Sequence, residues 1–198
     1  MSFAHLQIED LGFRYDSASE PVFDDFNLSL GPGWTGLVGP NGSGKSTLLE
    51  RAVSGLKLPA DRFVYLAQEI TAGQSARMLK EVRALGRRDK GEVMKTVGSL
   101  GSDPRRLLES GQLSPGEARK LLLALGAVRD PWLIVMDEPT NHLDLPSIEC
   151  LEAALKEVRC GLLLVSHDAR FLEATAGSYW RIAAEDGGRV MRLKANRS

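Results

Sequence analysis

Two early stretches of the chain, "HLQIEDLGFRY" and "PVFDDFNLSL", alternate apolar and polar residues with the period of two that half-buried strands show. The apolar run "WTGLVG" follows, which predicts a short buried strand. A glycine-rich turn leads from it into "KSTLLERAVSGL", a helix closed by Gly55. "RFVYLAQ" predicts another strand. From Gln74 to Ser110 the pattern becomes helical, with breaks at Gly86, Gly98, Gly101 and Pro104. Ser114 opens a further helix that runs to about Val128. Alternation of strand and helix then resumes: "WLIVMD" as a buried strand, "PSIECLEAALKEV" as an amphipathic helix, "GLLLVS" as a strand and "DARFLEATA" as a short helix. The chain closes on "SYWRIAAE" and "RVMRLKA", which predict an antiparallel hairpin across "DGG".

Parallel strands separated by helices predict an α/β core covered on both faces. The antiparallel start and finish predict an attached β layer. The expected organisation is one domain over 1–198, with a small helical lobe at about 74–130 inserted in a mostly parallel α/β core.

Composition narrows the classes of function. The 198 residues are 43% hydrophobic and 26% charged, as in ordinary globular domains, and the formal net charge is -1. Such a balance carries no strong nucleic-acid signal and no whole-surface attraction to acidic membranes. Only the stretch 74–110 is locally basic, with nine Lys or Arg against five Asp or Glu, a balance that solvated helix faces commonly have. Cys150 and Cys160 match no metal-ligand spacing and no disulfide framework, so a reduced, cytoplasmic setting is expected. "MSFAHLQIED" lacks the basic start and apolar run of a signal peptide, and no apolar run is long enough for a bilayer. Any work at the inner face of a membrane would then need a spanning partner on another chain.

The chemistry begins in "GPNGSGKST". Gly39, Gly44, Lys45 and Ser46 occupy the fixed positions of G-x-x-x-x-G-K-[ST]. The residues between and after them, Pro40, Asn41, Gly42, Ser43 and Thr47, complete a loop whose backbone N–H groups are expected to cradle phosphate. The helix that starts near Lys45 adds free N–H groups and the positive end of its dipole. Lys45 supplies a mobile charge for the β- and γ-phosphates, and the Ser46 hydroxyl suits Mg²⁺. A bare glycine turn binds nothing; this one has the strand before it, the helix after it, and the lysine and serine in place.

"LIVMDEPTNHLD" supplies an acidic strand end. Ligands of open α/β sheets sit off the carboxyl ends of strands, so Asp137 is expected to reach Mg²⁺ directly or through water. Glu138 projects differently from its neighbour and faces a water, a placement suited to general-base work. Paired with the phosphate loop, the two carboxylates point to nucleotide hydrolysis rather than binding alone. Finally, "QLSPGEARK" reads as a helix start: Ser114 as N-cap, Pro115 at the first helical position and Glu117 as capping-box partner.

With these motifs in this order, the sequence resembles the ATP-binding cassette (ABC) ATPases along nearly its whole length. The resemblance implies the P-loop NTPase fold of an ABC cassette, with ATP and Mg²⁺ as cofactors and ATP hydrolysis as the activity. It assigns catalytic roles to Glu138, Gln68 in "YLAQE" and His167 in "SHD". Gln68 matches a glutamine that contacts Mg²⁺ and the attacking water, and His167 a switch histidine that senses the γ-phosphate. The metal set implied is Ser46, Gln68 and Asp137. "LSPGE" sits where the family carries "LSGGQ", so Ser114 and the Gly116 N–H are implied to meet the γ-phosphate of a partner cassette. Asp144 in "HLD" matches a loop aspartate linking the two sites of a dimer. Tyr15 in "GFRYD" lies where an aromatic stacks on adenine, with Phe13 as a competing candidate.

"EPTNHLD" and "SHDARFL" are similar to the habitual wording of the ABC-F branch. Family logic pairs two cassettes head to tail, which implies a homodimer or a heterodimer with another cassette. Three settings follow: an ABC-F-like ATPase acting on the ribosome, the ATP-binding subunit of a transporter whose membrane domain is a separate chain, or a slow nucleotide-dependent interaction switch.

Overall fold

A computed structural model describes residues 6–14, 23–30, 33–55, 58–141, 143–156, 160–185 and 188–197. Among these, a six-stranded sheet has the order β4-β5-β6-β3-β7-β8. Its members are β3 (Gly33–Val38), β4 (Phe63–Leu66), β5 (Leu133–Asp137), β6 (Gly161–Val165), β7 (Ser178–Glu185) and β8 (Gly188–Arg197). The first five run parallel to their neighbours, and β7 and β8 form the antiparallel hairpin expected across "DGG". A separate antiparallel pair, β1 (Leu6–Phe13) and β2 (Phe23–Leu30), makes the β layer, with β2 lying against β8.

Every residue of β5 and of β6 is buried, which only a sheet covered on both faces permits. Period two then divides their side chains. Leu133, Val135, Leu163 and Val165 face a cluster with Leu37, Leu48, Leu49 and Ala52, which α1 (Lys45–Gly55) supplies in part. Ile134, Met136, Leu162 and Leu164 face the other way, onto Leu151 and Leu155 of α6 (Leu145–Lys156) and Phe171 and Leu172 of α7 (Ala169–Thr175). Full burial of each such side chain contributes about 1.5–3 kcal/mol.

The helical segment contains α2 (Ala72–Ala84), α3 (Arg87–Ser99), α4 (Pro104–Glu109) and α5 (Pro115–Val128). It starts two residues ahead of Gln74, because Thr71 is the N-cap and Gln74 closes a capping box onto it. Met78, Leu79, Val82, Val93, Val97, Leu107, Leu121 and Leu125 give this lobe a core of its own. The join to the sheet is α5. Leu121 and Leu125 point into the lobe, Leu123 packs with the sheet cluster, and Leu122 touches both. No helix among the described residues is long and apolar enough to cross a membrane.

Gly126 lets α5 lie this close to β4. A Cβ added there would fall inside van der Waals contact of one Val64 methyl and 3.1 Å from the other. Gly126→Ala therefore costs about 1–3 kcal/mol despite the better helix propensity of alanine. Combining it with Val64→Ala recovers a large part of that loss, and a double-mutant cycle by urea denaturation measures the coupling.

Candidate functional site

The site is assembled at the carboxyl ends of four neighbouring strands. β3 ends at Val38 and delivers the phosphate loop, and β6 ends at Val165 and delivers Ser166 and His167. β5 ends on Asp137, with Glu138 next, and Gln68 stands two residues beyond β4. Leu66 pairs with Met136, Asp137 with Val165, and Leu37 with Val165, so parallel register brings all four ends to one edge.

The loop curls through alternating backbone handedness. Gly42 has φ +73° and Gly44 φ +89°, values that disfavour side chains, and such alternation turns successive N–H groups into an anion-binding concavity. Gly39 has no room for a side chain: a Cβ would meet Ser43 Oγ at 2.9 Å and Ile182 Cβ at 3.0 Å. Pro40, Asn41 and Gly42 are exposed, Gly39, Gly44 and Thr47 half-buried, and Ser46 exposed at the start of α1. Lys45, only 7% exposed, folds back over the loop and donates to the carbonyls of Gly39 and Pro40, both at 3.0 Å. Burial lowers its pKa, while Glu138 and Asp137 act in the opposite sense.

Two buried carboxylates face this lysine. The Ser46 hydroxyl lies in reach of the Asp137 carboxylate and lowers its pKa, while Asp137 Oδ1 is buried without a hydrogen-bond partner. Burial holds its carboxyl above the usual carboxylate range, with Ser46 and Lys45 pulling it back down. Glu138 takes φ +50°, a left-handed backbone that costs a residue with a side chain about 1–3 kcal/mol. Its N–H is fastened to the Val165 carbonyl at 2.8 Å, and its own carbonyl accepts from Asn141 at 3.2 Å. The turn aims the carboxylate at β6. There Oε2 accepts the His167 N–H at 3.3 Å, and the His167 ring Nε2 stands 3.3 Å from Oε1 without hydrogen-bond alignment. Burial raises the Glu138 carboxyl too, offset in part by the His167 N–H. The imidazole is itself half exposed.

An orphaned buried oxygen beside a serine hydroxyl fits a hard cation that takes few protein ligands. No group of three or more His, Cys, Asp or Glu that could hold a metal is found among the described residues. Mg²⁺ commonly binds one or two protein oxygens and completes its shell with phosphate and water, so the donor set fits that ion.

At the start of α5, Ser114 Oγ accepts the Glu117 N–H at 3.2 Å and the Ser114 N–H donates to Glu117 Oε2 at 2.8 Å. Ala118 donates to the Ser114 carbonyl, and Pro115 has no N–H. Of the early N–H groups that a helix leaves without an intrahelical partner, the one at Gly116 is therefore the group that the capping box does not use. The serine proton also stays available, since a hydroxyl that accepts can still donate. Ser114 is exposed and its side-chain partner is Glu117, so the structure groups it with α5 and not with the phosphate loop. Asp144 is likewise exposed; its Oδ1 accepts the Ser147 N–H at 3.1 Å, and hydrogen bonds from Ser147 hold its carboxyl below the usual range. Gln68 is exposed, and its carbonyl accepts from Arg119.

Tyr15 lies outside the described residues. Phe13, the competing aromatic, packs half-buried against the α1 cluster with the Arg51 guanidinium 4.2 Å over its ring. A base stacking on that face would have to displace the arginine. The motif reading passes over Arg119 and Lys120, both buried in α5 beside the site. Their signal is local: in "EARKLLLALG" two cations open a helix that is otherwise apolar around its whole circumference, which leaves them no solvent face.

The capping box makes stability depend on pH in a defined sense. The Ser114 N–H holds the Glu117 carboxyl below its ordinary range. A depressed carboxyl stabilises the fold above its unfolded value and loses that contribution as pH falls through the folded one. Glu117→Ala is expected to cost about 1 kcal/mol at neutral pH. Urea titrations should show that deficit shrinking as the buffer is taken below about pH 3, under the ordinary glutamate value.

Residues 23–90 match the ABC transporter family. The ATP-binding protein Uup of Caulobacter vibrioides is 37% identical over 184 residues, 84% of this chain and 29% of that protein. ATP-binding cassette sub-family F member 2 of Mus musculus is 30% identical over 191 residues, 88% of this chain and 30% of that protein. The chain thus spans about a third or less of the length of these relatives. It spans 70% of the zinc import ATP-binding protein ZnuC of Pseudomonas entomophila, which is 32% identical over 186 residues, 85% of this chain. A solved structure titled as the ATP-binding subunit of an ABC transporter superposes with a TM-score of 0.70 at 20% identity, covering 90% of this chain and 85% of that one, and shows the same fold. With 32% identity over 70% of the zinc import protein and similar identity to sub-family F member 2, the chain belongs to the ABC family as its ATP-binding cassette, the family's ATPase domain.

Proposed function

We propose that this cassette binds ATP with Mg²⁺ and hydrolyses it as one half of a head-to-tail pair, the nucleotide lying between its phosphate loop and the α5 start of a second cassette. The observation that carries the reading is the charge arrangement at the strand ends. Two buried carboxylates, each with an oxygen that has no hydrogen-bond partner, stand beside a buried lysine that is held on backbone carbonyls. A polyphosphate gives Lys45 an anionic partner. Mg²⁺, held by Ser46 and Asp137 with Gln68 at its edge, would neutralise charge on the β- and γ-oxygens.

The chain's own residues then divide the work. The loop N–H groups and the N-terminus of α1 orient the phosphates. Glu138 accepts a proton from water as that water attacks the terminal phosphorus and the bond to the β–γ bridging oxygen breaks, ADP leaving with that oxygen; burial of Glu138 raises its proton affinity towards what a general base needs. His167, whose N–H donates to Glu138 and whose ring lies beside that carboxylate, would sense whether the γ-phosphate is present. Ser114 and the Gly116 N–H serve the phosphate of the partner's nucleotide, and Asp144 lies on the loop that runs between the two sites. Tyr15 is the proposed adenine platform.

The first reading of the biological setting is an ABC-F-like ATPase, on the match to sub-family F member 2 and to Uup together with the shared wording of "EPTNHLD". In that setting the ribosome is the proposed partner and the site of action is cytoplasmic. A second reading, an ATP-binding subunit that docks on a separate membrane domain, rests on the identity to the zinc import protein.

Lys45→Ala should lose measurable binding of a fluorescent ATP analogue. Glu138→Gln should bind that analogue with Mg²⁺ as wild type does, while steady-state phosphate release falls by at least about 100-fold. Normal turnover by Glu138→Gln would remove the general-base assignment. Proteins that co-purify with Glu138→Gln in the presence of ATP separate the two settings: ribosomal particles support the first, a membrane protein the second.

A further inference from the structure

Helix α5 carries two adjacent buried cations with no ion-pair partner among the described residues. Arg119 is 2% exposed and Lys120 is 8% exposed. The Arg119 guanidinium forks between two loops: Nη1 donates to the Asn141 carbonyl and Nη2 to the Gln68 carbonyl. Lys120 Nζ donates to Ser147 Oγ at 2.8 Å, and Ser147 in turn donates its N–H to Asp144. Asn141 donates its own N–H to the Glu138 carbonyl.

Burying a guanidinium on neutral carbonyls is an expensive way to fill space. The desolvation of each ion costs several kcal/mol, and well-packed apolar side chains at such positions are often neutral or stabilising. What the cations provide is direction. The rigid fork of Arg119 fixes the distance between the Gln68 turn and the loop after Glu138, which no apolar side chain does. Lys120 holds Ser147 in the first turn of α6, into which that loop leads. The Glu138 electrostatic field also reaches Arg119 and opposes the effect of burial on it.

We propose that Arg119 and Lys120 are positioning residues that clamp the loop 138–147 and the Gln68 turn to α5, so that one helix sets both halves of what this chain contributes. Gln68 and Glu138 belong to its own nucleotide, and Ser114 and Asp144 face the second cassette; this inference rests on the function proposed above. One helix thereby fixes the start of α5 and the two loops at the strand ends relative to each other.

The test uses Arg119→Met, Arg119→Lys and Lys120→Met in the whole chain. Arg119→Met should keep wild-type affinity for the ATP analogue, keep or raise the melting temperature, and lower kcat by about 10- to 100-fold with little change in KM, the effect of a small misplacement of reacting groups. Arg119→Lys, which keeps the charge but not the fork, should recover part of kcat. Lys120→Met should act in the same direction and more weakly. A readout independent of catalysis accompanies these: amide hydrogen exchange over 138–147 in the nucleotide-free protein should quicken by about ten-fold in Arg119→Met while α5 itself is unchanged. An unchanged kcat and unchanged exchange in Arg119→Met would overturn the clamp. So would parallel losses of melting temperature, nucleotide affinity and kcat, which is the pattern of a residue that only fills the interior. If wild type shows no turnover, the proposed function fails while the exchange experiment still decides the clamp. If Arg119→Met does not fold, Arg119→Gln is read by the same criteria.

Discussion

Two carboxylates stand side by side at the buried end of β5, and the arrangement around them answers that fact. Ionised groups withdrawn from water need compensating charge or hydrogen bonds. Here the compensation is partial: a serine hydroxyl for Asp137, a backbone N–H and an imidazole for Glu138, and Lys45 in the field of both. One oxygen of Asp137 has no hydrogen-bond partner. A site left short of positive charge is one that a divalent cation and its phosphates complete. The strained φ of Glu138 belongs to the same logic, since that turn carries the carboxylate away from Asp137 and towards β6, where it accepts the His167 N–H.

The sheet explains why these groups meet. Parallel strands bring their carboxyl ends to one edge, and the order β4-β5-β6-β3 places Gln68, Asp137, His167 and the phosphate loop on consecutive strands. Helix α5 joins that edge to the helical lobe. Its apolar sides close two clusters, its N-terminus is capped by Ser114 and Glu117, and its two buried cations reach the loops on either side. The helix proposed to offer a phosphate site to a partner is thereby hydrogen-bonded to the loops that carry Gln68 and Asn141.

Much of this is legible from the sequence because period and glycine chemistry are local. The buried runs "LIVMD" and "GLLLV", the turn at Gly42 and Gly44 and the Ser114 cap each report their own environment, and the fold class follows from their order. Long-range contacts leave weaker marks. That Arg119 reaches Gln68 and Asn141, or that Arg51 covers the face of Phe13, depends on which helix passes which loop. Gly126 looks like a helix weakness in sequence and is a packing requirement in the fold. Tyr15, the proposed adenine platform, lies outside the described residues.

The central claim is that the site is half of a site, completed by the α5 start of another cassette. Sedimentation velocity of Glu138→Gln tests it most directly, run without nucleotide, with ATP and EDTA, and with ATP and Mg²⁺. A doubling of mass should appear with ATP and be reversed by adding Ser114→Arg to the same chain. A strictly monomeric species at saturating MgATP and high protein concentration, with nucleotide shown to be bound, would contradict it.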